Sequence, residues 1–165
     1  MLRAWSIRVL TLSGLAVAAG CGVSASGTGL TPAFADVARD AHRYMTEHML
    51  TAIGTERFPT ALAESRSRVR ALKSKVSNDT DKGLWLVLTM INVKSGEAGQ
   101  MHEMRGYLDR SPAVQAAARD VISERDACLA EARGWLSGTA SKVPGLKAAP
   151  CLQSARQAAA MLGLK

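Results

Sequence analysis

From Pro32 onward the chain alternates apolar and polar positions with a helical period. Phe34, Val37, Ala41, Met45, His48 and Ala52 recur every three or four residues, and Asp36, Asp40, Arg43 and Glu47 fall on the opposite side. This spacing predicts one amphipathic helix, opened by Pro32 with Thr31 as its cap and closed near Gly54. Phe58, Leu62, Ser65, Val69, Leu72 and Val76 form a second, narrower stripe with Pro59 at its start, and Asn78-Asp79-Thr80-Asp81 supplies the break. Leu84 to Val93 (LWLVLTMINV) is almost continuously apolar, so periodicity alone does not separate strand from helix. No other segment offers a partner strand, and a lone strand would leave its backbone unpaired, so a helix is expected.

Gly96 and Gly99 are then read as punctuation, with a shorter helix through Met101, Met104 and Leu108. Ser111-Pro112 opens a long helix whose inner face is Val114, Ala118, Val121, Cys128, Ala132 and Trp135, ending at Ser137-Gly138. Thr139 to Pro150 reads as a loop, and Cys151, Ala155, Ala158 and Leu162 line a last short helix. The expected architecture is all-α: a small bundle of five or six helices over residues 32–165, with no internal repeat and no second domain. Length agrees, since 165 residues suit one core. So does composition: 47% hydrophobic residues with only 4% aromatic ones, rich in Ala and Leu, favour helices over a β-sandwich.

The first 35 residues carry a different pattern. Arg3 and Arg8 bracket the start of an apolar stretch, Ile7 to Ala19, that ends at Gly20-Cys21. This is the three-part shape of a secretory signal, residues 1–20, and the stretch is shorter than the roughly 20 residues a membrane span needs. Ala33-Phe34-Ala35 is a second, more distant site for ordinary signal cleavage, which would release a periplasmic or secreted chain. Ala18-Ala19-Gly20-Cys21 resembles the lipobox of bacterial lipoproteins, although that family usually has Leu where Ala18 stands. The resemblance implies that Cys21 is acylated, as by palmitate, and becomes the mature N-terminus. It implies a cell-envelope protein held to the membrane by lipid, on the periplasmic side of the outer membrane in a Gram-negative cell. Residues 21–31, Ser- and Gly-rich, then read as a flexible tether whose ten residues after the cysteine reach roughly 17–19 Å.

The cysteine count fits that compartment. If Cys21 carries lipid, Cys128 and Cys151 remain as an even pair, and an oxidising periplasm favours a disulfide between them. Such a bond would contribute about 3 kcal/mol. Two free buried thiols and a redox pair are the alternatives, the latter without a CxxC motif to support it.

Two patterns suggest chemistry. MTEHM (Met45, His48, Met49) and MHEM (Met101, His102, Met104) offer thioether and imidazole groups, which suit Cu(I). Core packing competes with that reading, because methionine is a common gap-filler and these residues fall on core stripes. RSRVRALKSK places Arg66, Arg68, Arg70, Lys73 and Lys75 in ten residues without an acid, a solvated helix face or a contact for anionic headgroups. No aromatic residues interleave with it, so a nucleic-acid partner is not expected. The net charge is +7. It falls to about +5 once the two leader arginines are removed, which is compatible with anionic surfaces and selects none.

GxSxG, HExxH, P-loop and dinucleotide fingerprints are missing, and neither Glu47-His48 nor His102-Glu103 has a nucleophile beside it. The expectation is a non-enzyme: a membrane-anchored lipoprotein that binds or scaffolds another envelope protein. In general build it is similar to the small helical lipoproteins that act as pilotins for secretion machinery. A periplasmic copper-binding protein is the alternative, and an unrecognised enzyme is the third.

Overall fold

The computed structural model describes residues 28–103, 111–139, 149–153 and 156. Among these the regular structure is helical, with four α-helices: α1 (Pro32–Tyr44), α2 (Phe58–Leu72), α3 (Asp79–Glu103) and α4 (Pro112–Ser137). A π-turn (Met45–Met49) and a 3-10 turn (Leu50–Ala52) extend α1, and a 3-10 turn (Lys73–Lys75) extends α2. A last 3-10 turn, Pro150–Leu152, packs on α3 and α4. The leader, Cys21, Met104, Leu108, most of the expected loop after Thr139, and Ala155, Ala158 and Leu162 lie outside the described residues.

Contacts along the helices fix their directions. Phe58 lies against Gly99, Ser65 donates to Asn92 at 2.6 Å, and the Trp85 indole donates to the Val69 carbonyl at 3.0 Å, so α2 and α3 run antiparallel. Arg39 reaches the Leu136 carbonyl while His42 meets the Leu129 backbone, so α1 and α4 are antiparallel too. The chain therefore runs up, down, up and down. Buried between the helices are Phe34, Met45, Met49, Leu72, Leu84, Leu88, Ile91, Cys128 and Trp135. Lys94 of α3, its side chain 17% exposed, pairs with Glu97 on its own helix and ties α3 to α4 through its ion pair with Glu124. Both carboxylates hold its ammonium above the ordinary lysine range, the Glu124 hydrogen bond most strongly.

Several local expectations change. Gly96 and Gly99 do not end a helix: α3 runs straight through them to Glu103, so the Met101 segment begins as its last turn. Gly99 is there because α2 crosses close. A Cβ on it would lie 2.0 Å from a ring carbon of Phe58. The first helix keeps α-geometry only to Tyr44, after which the π-turn shifts the stripe. Val37 and Val114, read as inward, are 39% and 40% exposed. Thr28 and Leu30, within the stretch expected as tether, are 5% and 6% exposed and so belong to the folded domain.

Thr31 occupies the N-cap of α1, but its hydroxyl makes no capping bond. It donates instead to Asp81 at 2.9 Å, and its N–H donates to the other carboxylate oxygen at 3.0 Å. Asp81 also accepts from the Ser77 N–H and hydroxyl at 3.2 and 3.0 Å, while the Asn78 side chain caps the Asp81 N–H at 2.8 Å. A fully buried carboxylate with four donors is satisfied, and it clamps the start of α1 to the start of α3.

Candidate functional site

The two ends of this bundle differ in chemistry. At the end where α1 finishes and α2 begins, Gly54 turns the chain with φ +84°, a conformation that glycine adopts without strain. The turn opens a cleft of about 910 Å³ lined by Tyr44, His48, Thr51, Thr55, Arg57 and Thr60, with Glu56 at its edge. The π-turn matters here, because it winds the backbone less per residue than an α-helix. Met45 and Met49 stay in line and fully buried, while His48 swings out to an exposed position on the cleft. Thr46 and Thr51 hydroxyls donate back to the carbonyls of His42 and Glu47, giving polar partners around the wide turn.

Behind Tyr44, which lines the cleft, lies an ordered polar network. The Tyr44 hydroxyl donates to Glu64 at 2.9 Å, and Arg68 lies over the Tyr44 ring, 4.4 Å from its centroid. Arg68 donates to Glu64 at 2.8 Å and to Asp40 at 2.8 Å, and Arg43 pairs with the same Asp40. The Arg68 and Tyr44 hydrogen bonds keep Glu64 ionised below the ordinary glutamate range. Desolvation, and then the Glu64 carboxylate, hold the Tyr44 hydroxyl above the tyrosine range, so it remains a donor. His48 lies in tilted contact with Tyr44, ring centroids 5.1 Å apart and planes at 40°.

Two smaller hollows continue this end. One, about 230 Å³, is lined by Gly54, Phe58, His102 and Glu103; the other, about 420 Å³, by Leu62, Arg66, Gly96 and Glu103. His48 and His102 thus open on different hollows, while the Met45 and Met49 thioethers fill the core. Met101 is half-buried on α3 and Met104 lies outside the described residues. Among the described residues no group of three or more His, Cys, Asp or Glu is placed to hold a metal ion.

The opposite end carries the cations. Of the five residues singled out in the sequence, Arg68 is committed to Glu64 and Asp40, and Arg66 points toward Gly96. Arg70, Lys73 and Lys75 are exposed and form no ion pair with another described residue. Among the described residues no helix is long and apolar enough to cross a membrane.

Cys128 and Cys151 form a disulfide, Cα atoms 5.0 Å apart, that ties the Pro150–Leu152 turn to α4. Glu131, one turn along α4, accepts the Cys151 N–H at 2.8 Å, while its other oxygen is buried without a partner. Desolvation raises the Glu131 carboxyl above the ordinary value of 4.5, against the pull of that N–H and of Arg156.

Sequence reasoning missed the cleft residues Tyr44, Thr55 and Arg57 and the anchoring acids Asp40, Glu64 and Glu131. Glu64 and Arg68 stand at i,i+4, as do Tyr44 and His48, so local spacing carried part of the signal. The pairing of Asp40 with Arg68 across two helices had no local signature. No family model, curated protein or solved structure matches the chain.

Proposed function

We propose that this chain is a lipid-anchored bacterial envelope protein whose helical domain binds another envelope protein, a scaffolding or accessory role. One observation carries the reading: the two ends of the bundle have opposite assignments. The chain comes into the domain at Thr28–Thr31, where Gly29 lies against Thr80 and its carbonyl accepts from Asn78 at 3.1 Å. The open cleft lies at the other end, and α3 between them, at 25 residues, is about 37 Å long. An anchor at Cys21 would therefore leave the cleft facing away from its own membrane.

The leader pattern, Arg3 and Arg8 ahead of Ile7–Ala19 and Gly20-Cys21, supports the anchor. The cleft's make-up supports a protein partner. Threonine hydroxyls, Arg57, Glu56 and an exposed imidazole surround an apolar floor that includes Ala52 and Ala61. An aromatic residue braced by Arg68 forms one wall. The reading keeps the expectation of five or six helices, the last of them, through Cys151, Ala155, Ala158 and Leu162, falling mostly outside the described residues.

Two measurements test it. Fatty-acid labelling is expected to mark the wild type and not Cys21→Ser; an unlabelled wild type removes the anchor. Co-purification from solubilised membranes is expected to recover a partner that is lost, at least tenfold, when Thr60→Arg fills the cleft. A wild type that is always recovered alone, or a partner retained by the filled variant, overturns the binding site.

A further inference from the structure

Thr28 and Leu30 are buried, so the stretch between Cys21 and the first buried described residue is the six residues Gly22–Gly27. A Gly/Ser-rich segment of that length has a mean reach of about 12–15 Å. Even fully extended, the seven steps from Cys21 to Thr28 span no more than about 25 Å. The place where the chain enters the bundle is fixed by Gly29 against Thr80, Asn78 on the Gly29 carbonyl, and Thr31 on Asp81. All of these belong to the turn between α2 and α3. That turn is flanked by Lys73 and Lys75 at the end of α2 and by Lys82 in the first turn of α3, with Arg70 one turn further up. The four side chains are exposed and form no ion pair with another described residue. Asp79 is the exposed acid in the turn, while Asp81 is buried and Asp36 is paired with Arg39. Four cations against Asp79 and the buried Asp81 carboxylate leave a local charge of +2.

Helix termini do not account for that surplus. The dipole of α2 presents only about half a negative charge at its C-terminus, and the positive end of α3 faces the same turn. From this juxtaposition we infer that Arg70, Lys73, Lys75 and Lys82 form a foot that seats the domain upright on anionic lipid headgroups. The inference rests on the lipid anchor proposed above and adds an orientation to it. An acidic protein would satisfy the same charges, but the anchor supplies the lipid surface at high effective concentration. The tether's reach is comparable to the roughly 8 Å over which a charged surface acts at physiological ionic strength. Each cation at an anionic surface biases the docked state about fivefold, so three together are worth on the order of 100-fold.

The test uses the full-length, acylated chain in vesicles of neutral phosphatidylcholine, with or without phosphatidylglycerol. A fluorophore is placed on Ser74→Cys or, as the far-end control, on Thr60→Cys, and headgroup-labelled lipid serves as quencher. Quenching at Ser74 is expected to be severalfold stronger with phosphatidylglycerol, and to fall to the neutral-vesicle level at high salt or in Lys73→Gln/Lys75→Gln/Lys82→Gln. Quenching at Thr60 is expected to stay weak throughout. Equal Ser74 quenching on both lipids, or an unchanged triple variant, overturns the foot while the chain stays anchored. So does a photocrosslinker at Ser74 that captures an acidic protein in native membranes instead of lipid. Failure of the anchor is read separately, as loss of the chain from neutral vesicles; the contrast between lipids is then read on the chain bound to phosphatidylglycerol vesicles.

Discussion

Glu131 and His42 are each left with a buried polar atom unpartnered, and they bend the stability profile in opposite directions. His42 sits between α1 and α4 with its Nε2 buried and unpartnered. Burial, and then the nearby Arg133, hold it below the ordinary histidine value of 6.5, against the Leu129 backbone hydrogen bond. Its contribution is present above 6.5 and is lost as pH falls through its folded value. Glu131 is shifted the other way, upward from 4.5. Its contribution is present below 4.5 and is lost as pH rises through its folded value, since the native state then must ionise a half-desolvated carboxyl. Glu131→Gln keeps an acceptor for the Cys151 N–H and removes that ionisation. The variant is therefore expected to melt higher than wild type near neutral pH and to converge with it at pH 4.5. Thermal melts across that range check it, and a constant offset at all pH values would remove Glu131 as the titrating group. None of this was legible from the chain. Glu131 reads as one acid among many on α4 until the turn at Pro150–Leu152 closes over it.

At the scale of the element, the sequence was most readable where a stripe met one neighbour. The α2 positions Phe58, Leu62, Ser65, Val69 and Leu72, read from spacing alone, are the buried ones. Ser65 belongs among them because its hydroxyl has Asn92 to bond. Reading failed where geometry departed from 3.6 residues per turn or where a glycine served packing. The π-turn carried His48 off the core stripe, and two glycines that looked like a break sit inside α3. Those glycines make a sharp contrast. Replacing a mid-helix glycine with alanine normally stabilises by up to about 1 kcal/mol. At Gly96 the new Cβ would meet the Arg66 guanidinium at 3.0 Å, the far end of a flexible chain that can swing away. At Gly99 it would meet the Phe58 ring at 2.0 Å, which neither helix can yield without opening. Gly96→Ala is expected to be neutral or stabilising by up to about 1 kcal/mol, and Gly99→Ala to cost about 1–3 kcal/mol. Denaturant unfolding distinguishes them, and equal effects would mean that the close crossing of α2 and α3 is wrong.

For the whole molecule the pairing of Cys128 with Cys151 was readable once the lipobox-like pattern assigned Cys21 elsewhere, but where that bond acts was not. It closes a separation of 23 residues and holds the Pro150–Leu152 turn against α3 and α4. The cleft is built from α1, its π-turn and α2, whereas that turn packs chiefly on α3 and α4. The staple and the proposed binding cleft thus occupy separate parts of the bundle. Replacing both cysteines by serine is expected to remove about 3 kcal/mol, because a loop of this size regains its closure entropy in the unfolded chain. For a domain of this length that is a fall of roughly 10 °C in Tm. Well below the new Tm, partner recovery through the cleft is expected to be unchanged, since the cleft's walls do not rest on the bond. Loss of recovery without loss of folding would instead make the disulfide part of the binding chemistry. The cation-bearing end gives the same separation a direction, because Lys73, Lys75 and Lys82 also lie off the stapled segment. Docking to anionic vesicles should then survive reduction of the disulfide at temperatures where the helices persist.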